Sequence, residues 1–251
     1  MNQSEKIRAL QLANHGVAFI GVAYITYAGL WSTLWLALIG SVIFLVLGIN
    51  IGYHRYLTHA SFNTHPIISN TCILIGSLCL VGSPLAWSIS HINHHAYADH
   101  DGDPHSPTRI KFWDFFMTRF EPVKHHRLGA KTLMRNKLAP LLHQHYFIPI
   151  IIYCAILFVI NPLYVVLLWS IPSLAALYLI MILSWYCHKD GGYVNTQIKD
   201  QSKNNFLAAI LTFGEGWHNN HHADPRAWNF QKRWWEIDPT SWVIRLIKTD
   251  S

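Results

Sequence analysis

The sequence predicts an all-α integral membrane protein: four transmembrane helices in two hairpins, under a cytosolic helical cap that gathers histidines. Three observations predict it. Residues Gly16 to Gly52 and Tyr146 to Cys187, runs of 37 and 42 residues, contain no Asp, Glu, Lys or Arg. Each run suffices for two crossings of a hydrocarbon core about 30 Å thick. All 19 Lys and Arg residues avoid the turns those runs need, and the 17 His include dense groups that abut the apolar runs.

Composition agrees. Only 13% of the 251 residues are charged and 51% are hydrophobic, against about 25% charged in soluble domains. The 11 Trp, 11 Tyr and 12 Phe supply rings that favour bilayer interfaces. The net charge of +6 comes with no basic helix or zinc-finger spacing, so it points to a membrane surface and not to nucleic acid. Cys72, Cys79, Cys154 and Cys187 sit in apolar stretches without a CxxC pair and read as small buried hydrophobes.

The elements follow in order. MNQSEKIRALQLANHG places Lys6 and Arg8 before the first apolar run. That run outlasts the core of a signal peptide and has no small-residue cleavage site after it, so the segment reads as retained. The first hairpin is expected as helices over about 14–31 and 34–53, turning at GLWST. The second is expected over about 146–161 and 164–187, turning at Asn161-Pro162.

Between them, Pro66 to Ser90 is a third apolar stretch, interrupted by Ser69, Asn70, Ser77, Gly82, Ser83 and Pro84. If it spanned, the histidines before it (His54, His59) and after it (His91, His94, His95) would lie on opposite faces and could share no centre. It is therefore read as a non-spanning helix over about 66–88, packed on one leaflet. With four spans, both termini and the central segment are cytoplasmic by the positive-inside rule, at the inner membrane in a bacterial cell. With no repeat or linker, residues 1–251 read as one domain.

Three histidine clusters carry the chemistry. GYHRYLTHASF gives His54 and His59, which five-residue spacing separates by about 140° on an ideal α-helix. They converge only if the helix ends or loosens, and the spacing fits two interfacial histidines equally well. HINHHAYADHDGDPH gives His91, His94 and His95, and GEGWHNNHH gives His218, His221 and His222. Positions i, i+3 and i+4 share a helical face, so each cluster can aim three imidazoles at one point. His188, in LSWYCHKDGG, reads on spacing alone as either an interface residue or a ligand. His15, His65, His100, His105, His125, His126, His143 and His145 show no such pattern, and most of them are expected at the surface or behind the ligands.

Eight or nine imidazoles exceed what one ion takes, so two metals follow. Imidazole suits Zn, Cu, Fe and Ni alike. Iron is favoured by the setting, because an apolar bundle holds an oily substrate whose unactivated C–H bonds need an oxidant made from O2.

In order and spacing these motifs resemble the membrane fatty acid desaturase family, closest to the delta-9 acyl-CoA (stearoyl-CoA desaturase-like) type and its bacterial relatives. GYHRYLTH, HINHHAYADHDGDPH and GEGWHNNHH resemble its three boxes, and WWEIDPTSWVIRLI the stretch that follows. The resemblance implies a di-iron centre ligated by His54, His59, His91, His94, His95, His188, His218, His221 and His222, and a cis double bond introduced with O2 into a saturated acyl chain in a bent tunnel. It also implies electrons from a separate ferredoxin- or cytochrome b-type carrier with its reductase, since the chain has no GxGxxG, CxxCH or ferredoxin cysteine set. Lys124, Arg127, Lys131, Arg135 and Lys137 fit either an acidic carrier or a solvated face near anionic lipid.

Two departures stand out. Ser184 occupies a position where animal acyl-CoA desaturases carry an Asn that contacts a metal through water, and its hydroxyl is a candidate to orient that water. Ile89 and Ser90 replace an Arg-Asp pair for the CoA headgroup, which leaves the carrier open between CoA and lipid. A sibling hydroxylase or ketolase would share the boxes. A transporter would carry ionisable residues in mid-membrane, and the predicted spans have no charged residue. A zinc hydrolase would need a carboxylate base, for which Glu215 is the candidate, though Glu215 is also placed to shape the turn into the third cluster.

Overall fold

The structure is a computed structural model, which describes residues 3–118, 123 and 133–249. Lys124, Arg127, Lys131, His125 and His126 lie outside the described residues.

Among the described residues, three helices are long and apolar enough to cross a membrane: α1 (Gln3–Tyr27), α2 (Trp31–Thr58) and α8 (Pro162–Lys189). Short helices connect them: α3 (Pro66–Ser77), α4 (Pro84–Tyr97), α5 (Phe112–Phe116), α6 (Leu138–Gln144) and α7 (Phe147–Ile160). After α8 come α9 (Phe206–Leu211), α10 (His218–Ala223) and α11 (Pro239–Ile247). Apolar side chains face outward on the long helices, among them Phe19 and Ile20 of α1 and Leu38 of α2, so the protein is embedded in a membrane.

The expected helix over 146–161 is α7, whose 14 residues reach only about 21 Å. Together with α6, across a bend of 83°, it is long and apolar enough for a fourth crossing if the bent pair is one span. Helix α1 begins eleven residues before the expected 14, so its polar first turns extend the bundle beyond the apolar run.

The stretch expected as one helix over 66–88 is two. Leu80 and Gly82 take positive φ of 57° and 111°, Ser83 is extended, and Pro84 opens α4, where its missing N–H costs nothing. The break leaves α3 with 12 residues, too short to cross, and frees α4 to run on through His91, His94 and His95.

Helix α2 holds the centre. A Cβ on Gly52 would lie 2.6 Å from the Cys72 carbonyl oxygen, so only glycine lets α3 pack this closely. The Asn50 side chain donates to the Thr212 carbonyl (2.9 Å) and the Thr240 hydroxyl (3.1 Å), which ties α2 to the C-terminal segment. Strands β1 (Asn63–Thr64) and β2 (Lys248–Thr249) pair antiparallel and fasten that segment again. Along α1, the Asn14 amide donates to the Ser173 hydroxyl (2.9 Å). His15 bonds the Gln11 carbonyl through Nδ1 and the Tyr178 hydroxyl through Nε2, both at 2.7 Å. His15 is thus a tie between α1 and α8, as His143 is to Ser83 at 2.6 Å.

Candidate metal centre

The helical winding explains the first pair. Residues Phe44–Thr58 are wound as a π-helix, with about one extra residue per turn. The His59 N–H donates to the His54 carbonyl five residues back (3.1 Å), which brings the two rings to 4.8 Å. The same widening recurs over Tyr186–Asp190, around His188.

The nine imidazoles form two groups, His54, His59, His91, His95 and His221 in one and His94, His188, His218 and His222 in the other. Within each group the candidate ligand atoms lie within 4.8 Å of one another. Of the three clusters, the second and third are each divided between the groups, so no cluster makes a site alone. His95 and His222 stack across the boundary with ring centroids 4.2 Å apart.

Buried carboxylates fix the rings. His54 Nδ1 donates to Glu215 (2.6 Å), and His94, His188 and His222 donate to Asp103, Asp99 and Asp200, each at 2.9 Å. A hydrogen on Nδ1 leaves the lone pair on Nε2, which faces the group. His54 and His221 bring their Nε2 atoms to 3.0 Å, His221 and His95 to 2.8 Å, and His188 and His218 to 2.9 Å. Nε2 of His59 and of His222 is buried without a hydrogen-bond partner.

These nitrogens fit a cation. At an imidazole–metal length of about 2.1 Å, nitrogens about 3 Å apart subtend about 90°, short of the tetrahedral angle of about 109°, so the groups suit an ion of five or six ligands. Burial holds His59, His91, His95, His218, His221 and His222 well below the ordinary imidazole range, which keeps them neutral as ligands must be. At His94 burial pushes the same way, but Asp103, Asp99 and Asp200 together outweigh it and the net shift is upward.

A cavity of about 290 Å³ opens onto both groups, with His54, His91, His94 and His218 in its wall. Apolar side chains such as Ile49, Val81, Leu177 and Met181 line it together with the hydroxyl-bearing Ser184, and it reaches Arg8 and Gln11 of α1.

A sequence model of the fatty acid desaturase family matches residues 29–246. This chain belongs to the fatty acid desaturase family. As such it is an oxidoreductase that acts on acyl chains. It is 31% identical to an sn-2 palmitoyl-lipid 9-desaturase of Nostoc sp. (strain 36), over 98% of this chain and 90% of that one. It is also 31% identical to an icosanoyl-CoA 5-desaturase of Limnanthes douglasii (94% and 67%) and 30% to an sn-1 stearoyl-lipid 9-desaturase of Anabaena variabilis (94% and 83%).

The desaturase's carboxylates were not singled out from the sequence, apart from Glu215. Asp99 and Asp103 stand within the second box, where their closeness to His94 was a usable signal. In the structure Glu215 is bonded to His54 and to Arg55, so it orients the His54 ring and is not free to act as a base. Asn219 and Asn220 point away from the imidazoles. Asn219 accepts from the backbone N–H groups of Asn195 and Thr196, and Asn220 donates to Glu236 and the Phe230 carbonyl. They hold α10 in register.

One outcome follows for the desaturase stripped of metal. His59, His91, His95, His218, His221 and His222 stay neutral where an unfolded chain would protonate them, so below about pH 6.5 unfolding takes up protons at these six and stability falls with pH. Between about pH 7.5 and about pH 5.5 the loss is expected to reach several kcal/mol, at about 1.4 kcal/mol per pH unit for each histidine that titrates. Unfolding midpoints of chelator-treated protein in detergent measure it, and equal midpoints at the two pH values would refute it.

Proposed function

We propose that this enzyme introduces a cis double bond at carbon nine of a saturated acyl chain carried on a lipid or CoA, using O2 and two irons. The observation that carries the proposal is the pair of histidine groups opening onto one apolar cavity. His54, His59, His91, His95 and His221 would hold one iron, and His94, His188, His218 and His222 the other. When bound, iron supplies activation of O2 for attack on an unactivated C–H bond.

The chain's own residues do the rest. Glu215, Asp103, Asp99 and Asp200 keep four rings in the ligating tautomer. Ile49, Val81, Leu177 and Met181 hold the acyl chain against the imidazoles and exclude water. Ser184, one helical turn before His188, is placed to orient a water. A lipid carrier is supported by the names of two relatives and by Ile89 and Ser90 at the positions that precede the second box. Four spans, with α6 and α7 as one, put the termini and the histidines on the cytoplasmic face, since the turns at 29–33 and 161–163 carry no Lys or Arg. A separate ferredoxin- or cytochrome b-type carrier with its reductase supplies electrons.

Expression in a host lacking unsaturated fatty acids, with double bonds located by mass spectrometry, tests this. An alkene at carbon nine is expected, and an oxygenated product without alkene would overturn it.

A further inference from the structure

Removing two hydrogens from adjacent acyl carbons yields two electrons and two protons, whereas taking O2 to two waters consumes four of each. The remaining two electrons and two protons must enter from outside.

The carboxylates behind the imidazoles are not alike. Side chains of Glu215, Asp103 and Asp99 are 2% exposed or less, whereas Asp200 is 14% exposed. Asp200 accepts from His222, and the next backbone N–H, of Gln201, donates to the Asp99 oxygen that also accepts from His188 (both contacts 2.9 Å). One loop is thus hydrogen-bonded to His222 directly and to His188 through Asp99. A surface pocket of about 170 Å³ lies over it, lined by Val194, Gln197, Asp200 and Lys203. Ser202 also lines the pocket, and its hydroxyl is buried without a hydrogen-bond partner.

The loop's outward charge is positive. Asp200 is turned inward by His222 and by the Ser202 N–H (2.9 Å), which leaves Lys199 and Lys203 at the rim. The Lys203 ammonium reaches the Lys189 carbonyl, and Lys189 is itself exposed. On the other side Arg233 lies over the ring of Tyr193, the neighbour of Val194. Such a rim attracts and orients an acidic protein.

We infer that the loop from Ile198 to Lys203 is the docking and entry point for a small acidic one-electron carrier, which delivers two electrons in turn to the four-histidine group. The inference rests on the desaturase reading above. Its test compares turnover driven by an acidic plant-type [2Fe–2S] ferredoxin with turnover driven by dithionite, in iron-loaded protein.

In K199E/K203E the ratio of ferredoxin-driven to dithionite-driven turnover is expected to fall at least about tenfold, through a higher KM for ferredoxin and a weaker dependence on salt. K199Q/K203Q, with charge removed but not reversed, should fall between. A ratio within about twofold of wild type in both variants, or a ratio that falls only when Lys124 and Arg127 are reversed, overturns the inference. Wild type that makes no alkene with either reductant overturns the desaturase reading instead.

Discussion

Replacing His221 with Ala is expected to abolish alkene formation and lower bound iron below two per chain while the protein stays in the membrane. His221 Nε2 lies 2.8 Å from that of His95 and 3.0 Å from that of His54, so its loss opens the five-histidine group at its middle. Removing a partner that merely orients a ligand costs about 10- to 100-fold in affinity or activity, and removing a ligand costs more. A suitable control is His65→Ala at the exposed start of α3, which should keep both activity and iron. Metal analysis with product analysis of the two variants decides it. Wild-type alkene and two irons in His221→Ala would remove this residue from the site.

Arg55→Leu is expected to give the largest loss of stability of any substitution outside the nine histidines. The guanidinium is fully buried and donates to Glu215 at 2.8 and 2.9 Å, to Asp238 at 2.7 and 3.1 Å and to the Trp228 carbonyl at 2.8 Å. It also lies 3.8 Å from the centre of the Phe230 ring. Leucine would leave two carboxylates buried and uncompensated, at a cost of about 3–5 kcal/mol. That should lower the unfolding midpoint in detergent by on the order of 10 °C. Arg55→Lys keeps the charge but loses the planar fork, so its midpoint should lie between, with reduced iron because Glu215 no longer holds His54 firmly. A leucine variant that melts with wild type would show the network to be incidental.

The parts of the site legible in the sequence were those set by helical periodicity. His91, His94 and His95 share a face because α4 is a regular α-helix, and the same holds for His218, His221 and His222. The pairing of His54 with His59 was illegible because it depends on π-winding, which tertiary packing imposes and which leaves no period in the residues. His188 sits in another such segment, and only the family resemblance pointed to it. The division into five and four was hidden for a different reason. Adjacent residues such as His94 and His95 enter different groups, and only the meeting of α2, α4, α8 and α10 determines which joins which.

The break between α3 and α4 was closer to hand, since Gly82-Ser83-Pro84 is a stop followed by a start. The sequence favours a single, polar-interrupted helix there because the whole stretch is apolar enough to continue. Asp200 and Asp238 were out of reach, being far along the chain from the residues they touch.

The carboxylates that orient the rings have a consequence for charge balance. Glu215, Asp99, Asp103, Asp200 and Asp238, set against the one guanidinium of Arg55, leave four negative charges around the nine imidazoles. Two divalent cations bound there would cancel that excess. Protons do not replace them at the six imidazoles that burial holds well below the ordinary range. Binding of two such cations would therefore neutralise negative charge that the fold already holds in place, with few protons to displace.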